Sequence, residues 1–113
     1  MKLLSIDYVP GCKIEALGMV KGAVVQTKHF GKDFMAGLKT LVGGEIAAYT
    51  QMLNEARQIA VKRMVDEAKA LGADGIIGIR YGSAQMMQGA AEVLAYGTAV
   101  KILGPEKEGT VRL

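Results

Sequence analysis

Between residues 13 and 28, KIEALGMVKGAVVQTK, the even positions Ile14, Ala16, Gly18, Val20, Gly22 and Val24 form one small, apolar row. The odd positions are mixed but include Leu17, Met19, Ala23 and Val25. A repeat of two predicts a strand, with Pro10-Gly11 as the turn before it. Glycines at 18 and 22 point to close approach of another backbone, or to a bend.

The period then lengthens. Across 32–41, KDFMAGLKTL, Phe34, Met35, Leu38 and Leu41 share one helical side, which predicts a short amphipathic helix. Gly43-Gly44 interrupts it and reads as a hinge. A long helix follows from about Glu45 to Leu71, stopped by Gly72. Its expected buried stripe is Tyr49, Leu53, Ala56, Ala60, Met64, Ala68 and Leu71. Gln51, Glu55, Gln58, Lys62, Asp66 and Lys69 form the wet side, where Lys62/Asp66 and Arg63/Glu67 stand four apart and can pair.

Two further strands are expected at 75–86 and 91–102, joined by a short Gln-Gly turn at 88–89 as an antiparallel hairpin. In the first, Ile77 and Ile79 are expected on one face, Ile76 and Ala84 on the other. In the second, Leu94, Tyr96 and Val100 oppose Val93, Ala95 and Ala99. The fold class is therefore α+β: a β-α-β-β subunit whose three-stranded, mainly antiparallel sheet packs on one long helix. Residues 1–102 make one domain, and 103–113 form a C-terminal tail, flexible or adding an edge strand.

Both faces of this sheet are apolar or small, yet one helix covers only one face. A symmetric homo-oligomer would bury the other. The alternative is that the short helix and the tail fold over it.

Composition narrows the class. Half of the residues are apolar and 22% are charged, which excludes a disordered chain. The formal charge is +3, but signs alternate along the long helix and tryptophan is absent. Nucleic-acid binders gather their basic groups on one face, so no nucleic-acid partner is expected. No apolar run approaches the ~20 residues of a membrane span, so no membrane partner is expected either. The N-terminal apolar patch is interrupted by Asp7 and is too short for a secretory signal. The single cysteine, Cys12, makes a reducing cytoplasm the expected compartment.

Three strings in order, VGGEIAAYTQMLNEAR, MVDEAKALGADGIIGIRY and AEVLAYGTAVKI, resemble the YbjQ-like family over residues 10–102. Its members are small bacterial and archaeal proteins labelled heavy-metal-binding, without a demonstrated activity. The resemblance implies a β-α-β-β subunit, dodecin-subunit-like in plan, assembled as a ring-like homopentamer. It also makes a soft metal or metalloid ion the expected cofactor class.

The residues themselves support little chemistry. A closed zinc site takes four ligands, mainly Cys and His, whereas this chain has one of each, Cys12 and His29. A metal site would need several copies of Cys12 or His29 gathered around a ring axis, and thiolates would favour a soft ion. Otherwise Cys12 is a turn residue and His29 a surface residue. Asp33, Glu45, Tyr49 and Arg80 are a candidate inter-subunit polar site, with proton transfer conditional on burial. The plainer reading of Glu45 and Tyr49 is a capping carboxylate and a core tyrosine. No nucleophile elbow or Walker loop occurs: the nearest candidate, Gly31-Lys32-Asp33, ends in Asp. Met52, Met64, Met86 and Met87 are expected as flexible filler rather than copper ligands. The functional expectation is a homo-oligomeric small-ligand binding module; a structural scaffold without ligand is the alternative, and an enzyme with an inter-subunit site the weaker one.

Overall fold

The computed structural model describes residues 1–27, 43–87 and 90–106. Four strands and one helix follow in chain order: β1 (Lys2–Leu3), β2 (Cys12–Thr27), α1 (Gly43–Ala70), β3 (Gly75–Met87) and β4 (Ala90–Pro105). They form one mixed sheet in the order β1-β3-β4-β2. The three long strands pair antiparallel, as the alternation predicts. β1 is an addition: two residues, too short to show a period, pair parallel with β3.

The helix sits on β2 through one contact that the sequence marks. A Cβ at Gly22 would overlap the Ala60 carbonyl oxygen and the Met64 amide nitrogen, and would lie 2.9 Å from Arg63 Cβ. Only a residue without a side chain lets the helix backbone rest on the strand here. The buried helical stripe is Met52, Ala56, Ala60, Met64 and Ala68, one residue in four. Such a row runs oblique to the helix axis, which lets a straight helix follow a twisted strand. Val20, Val24, Ile76, Val93, Ala95 and Ala99 meet it from the sheet. Met52 and Met64 are core filler, as expected.

Two bulges redirect the alternation. The β2–β4 register slips between Ala16 and Gly18, so Leu17 packs on the core together with Val20 and Val24. In β3, Gly78 takes φ 62°, where a side chain would be strained, and the register with β4 slips between Ile77 and Arg80. Residues directly opposite across a sheet share a face. Ile77, opposite Thr98, therefore faces away from the helix, while Ile79 packs on the core with Ile76. Placing Ile77 and Ile79 together was incorrect, and so was placing Ile76 with Ala84, because one inserted residue reverses every later side chain.

The same bulge receives the N-terminus. The Gly78 N–H donates to the Ile6 carbonyl at 2.8 Å and the Ile79 N–H to the Leu4 carbonyl at 3.1 Å. Arg80 adds a clamp, donating from Nη1 to the Ser5 carbonyl at 2.8 Å and to its neighbour Ile79 at 2.9 Å.

Helix α1 ends in a Schellman motif. The Ala73 N–H donates to the Ala68 carbonyl at 3.1 Å and the Gly72 N–H to the Lys69 carbonyl at 3.0 Å, with Gly72 at φ 76°. The turn carries Leu71 outward, 48% exposed, against its expected place in the stripe, and brings Ala73 onto the core instead. At the start, Gly43 and Gly44 belong to the helix rather than preceding it. The short helix expected over 32–41, which a hinge would serve, lies outside the described residues. β4 continues through Gly104-Pro105, which pair with Lys13 and Cys12, three residues past the expected strand end.

Asp74 fixes the helix end to β4. Its Oδ2 accepts the Ile102 N–H at 2.8 Å, and Lys101 Nζ lies 3.5 Å from Oδ1. The Ile102 hydrogen bond is the main cause that holds its carboxyl below the ordinary 3.8; desolvation opposes it, and the charge and hydrogen bond of Lys101 add to the lowering. A folded value below the unfolded one contributes stability that is complete above the unfolded pKa. That contribution disappears as pH falls through the folded pKa. The melting-temperature gap between the native protein and Asp74→Ala, followed by circular dichroism, is therefore expected to be wider at pH 7 than at pH 2.

The subunit is long and thin, 61 × 26 × 20 Å, with a radius of gyration of 18.6 Å. A compact chain of this length would have about 13 Å. It exposes 7578 Å², roughly 1,600 Å² more than the ~6,000 Å² of a typical monomer of its mass.

Candidate functional site

Among the described residues, β2 is an edge strand of the sheet. Such an edge presents unpaired N–H and C=O groups, and the helix reaches over to meet some of them. Arg63 Nη1 donates to the Ala23 carbonyl at 2.6 Å, and the Lys21 N–H donates to Glu67 Oε1 at 3.4 Å. Arg63 and Glu67, expected to pair with each other, are instead turned toward backbone; Lys62 and Asp66 do pair, at 3.2 Å. Spacing in the sequence shows which side chains stand above one another. It does not show that a strand edge competes for them.

A groove of about 450 Å³ opens here, lined by Lys21, Gly22, Ala23, Arg63, Glu67, Glu92 and Leu94. Its two cations and two carboxylates balance. Beyond it lies the sheet face away from the helix, where Met19 is 76% exposed and Val25 and Tyr96 are also exposed. That face is apolar, as expected, but Lys21, Arg80 and Glu92 interrupt it, by the register of the strands.

Among the described residues, the candidates singled out from the sequence lie at separate places in the subunit. Cys12 is half-buried at the start of β2, paired with Pro105. Thr27, at the other end of β2, lies about 50 Å away at the usual rise per residue. Glu45 and Tyr49 lie in the first two turns of α1, with side chains outside the described part. Roughly 22 Å of helix axis separates Glu45 from Ala60, the residue seated over Gly22. Arg80 sits near that middle level, opposite Tyr96, and is engaged with the N-terminal segment. One subunit therefore does not bring Arg80 to the helix start. His29 and Asp33 lie outside the described residues. Among the described residues, no three of His, Cys, Asp and Glu gather as metal ligands.

Comparison with known proteins identifies the lineage. A family model, YbjQ, described as "Putative heavy-metal-binding", matches residues 1–103. The chain belongs to the YbjQ-like family. A UPF0145 protein of Helicobacter hepaticus is 61% identical over 103 residues, covering 91% of this chain and 99% of the relative. A UPF0145 protein of Clostridium novyi is 60% identical over 103 residues, covering 91% and 100%. A crystal structure of a protein of unknown function from Pediococcus pentosaceus, of the DUF74 family, superposes with a TM-score of 0.64 at 21% identity. It covers 90% of this chain and 97% of its own, and supports the fold of this YbjQ-like protein. The family match ends at residue 103, before the Gly104-Pro105 end of β4.

Among the described residues, no helix is long and apolar enough to cross a membrane. Groove residues Lys21, Arg63, Glu67 and Glu92 were not singled out as a site from the sequence. The glycine at 22 is the signal that could have found them, because it places the helix against the strand edge they surround.

Proposed function

We propose that this YbjQ-like protein is a cytoplasmic, ring-forming homo-oligomer, a pentamer, that acts as a small-ligand binding module. The observation that carries the reading is the excess of exposed surface. A standard interface covers about 800 Å² on each partner and a ring subunit has two, so surface beyond that of a compact monomer favours such an assembly. The β2 edge and the exposed Met19, Val25 and Tyr96 favour the same reading. Heavy metal or metalloid is the ligand class that the family description suggests. With one Cys12 per subunit, such an ion would be held by several copies together around the axis.

Native mass spectrometry of the purified protein tests both parts. The expected result is a species of five subunits. A clean monomer would overturn the assembly. Loading with cadmium ion, followed by elemental analysis, is expected to leave less than one ion per subunit, lost in Cys12→Ser. Retention by Cys12→Ser would remove the thiolate reading, and a pentamer that never retains added mass would favour a scaffold without ligand.

A further inference from the structure

Helix α1 lies off-centre on its sheet. It packs on β2 and β4 and barely meets β3, which leaves a cleft of about 310 Å³ between the helix and β3. Arg57, Gln58, Val61 and Lys62 line the cleft from the helix and Tyr81 from the strand. Arg57 and Val61, like Gln58 and Lys62, are four apart and stack on successive turns.

The lining is chemically selective. Val61 is half-buried against the core and gives an apolar floor. Tyr81 pairs with Ala95, whose side chain is fully buried under the helix, yet Tyr81 itself is 58% exposed. Its ring is thus a flat wall that the off-centre helix leaves open. Both charged residues of the lining are cations. Lys62 is largely offset by Asp66 at 3.2 Å, whereas Arg57 donates to the neutral amide of Asn54 at 2.5 Å. The cleft therefore holds a positive charge that this partner does not neutralise, beside an aromatic face and a primary amide.

We propose that the cleft binds a small ligand consisting of a flat aromatic ring bearing a phosphate or carboxylate group. The ring lies against Tyr81 and Val61. The anion takes the planar fork of Arg57, which can present two parallel N–H groups to two oxygens, and the Gln58 amide supplies a further donor. Lys62 adds long-range attraction through its partly offset charge. The volume lies at the low end for small-molecule sites, which suits a single ring. Every contributing residue lies on one subunit, so the site does not depend on ring assembly.

Isothermal titration of the full-length protein with phenyl phosphate, benzoate and inorganic phosphate tests this. Phenyl phosphate is expected to bind saturably, once per subunit, and more tightly than inorganic phosphate. Arg57→Gln should weaken phenyl phosphate and benzoate by at least about tenfold. Tyr81→Ala should weaken both by about five- to tenfold and leave inorganic phosphate unchanged. Tyr81→Leu, which keeps bulk at the site, repeats the measurement should the alanine variant not fold. Absence of saturable heat with both aromatic probes at millimolar concentration overturns the proposal, as does equal binding by Arg57→Gln. The subunit count by native mass spectrometry should be the same in Arg57→Gln and the native protein. Failure of the oligomer reading and failure of this one therefore appear in different measurements.

Discussion

Gly22→Ala is expected to destabilise the protein by about 3 kcal/mol, at the upper end of the usual cost of overpacking a core. One methyl group is enough because what it meets is helix backbone: the Ala60 carbonyl and the Met64 amide, with Arg63 Cβ beside them. A flexible side chain could swing aside. A backbone within an intact helix cannot, so α1 must lift away from β2, and the buried row above it loses contact together. In a thermal melt the loss corresponds to a drop of about 12 °C or more for a domain of this size. Urea denaturation at one fixed protein concentration is the appropriate check, because an oligomer's apparent stability varies with concentration. The groove should suffer too, since Arg63 and Glu67 reach the β2 edge only while the helix is seated. A change within 0.5 kcal/mol would show that the contact at Gly22 is looser than described.

The second large effect is at Met64. Its side chain is completely buried, surrounded by the alanines of the helical stripe and the valines of the sheet. Met64→Ala removes the largest side chain of that cluster. The alanines around it are too short to fill the space, and about 3 kcal/mol should be lost. Met64→Leu keeps nearly the same volume and should cost less than about 1.5 kcal/mol. The contrast between the two, read from urea midpoints, separates loss of packing from any specific need for sulfur. A leucine variant as damaged as the alanine variant would point to a role for the thioether.

Much of the architecture is legible in the sequence because it rests on periods. The repeat of two over residues 13–28 and the repeat of four through Ala56, Ala60, Met64 and Ala68 each place an element within one or two residues. What was hidden depends on single insertions. The bulge at Gly78 reverses the faces of β3, and the glycine in IIGIRY signals a bulge, a bend or a close approach without choosing among them. β1 has only two residues, too few to show any repeat. Leu71 was assigned to the buried stripe by spacing alone, while the Schellman turn at Gly72 points it outward. The candidate site was less legible for a related reason. Arg63 and Glu67 carry the spacing of an ordinary helical ion pair. Their roles depend on a strand edge set 40 or more residues earlier in the chain. Tyr81 reads as one more strand residue until the off-centre position of the helix leaves it uncovered.

The seating of the N-terminus on the β3 bulge sets an order of events during synthesis. The carbonyls of Leu4 and Ile6 have their partners in Ile79 and Gly78, so this segment leaves the ribosome more than seventy residues ahead of the strand that seats it. At ordinary elongation rates, roughly 4–15 s pass before those partners emerge. Through that interval Leu4 and Ile6 lack the β3 bulge that later receives them.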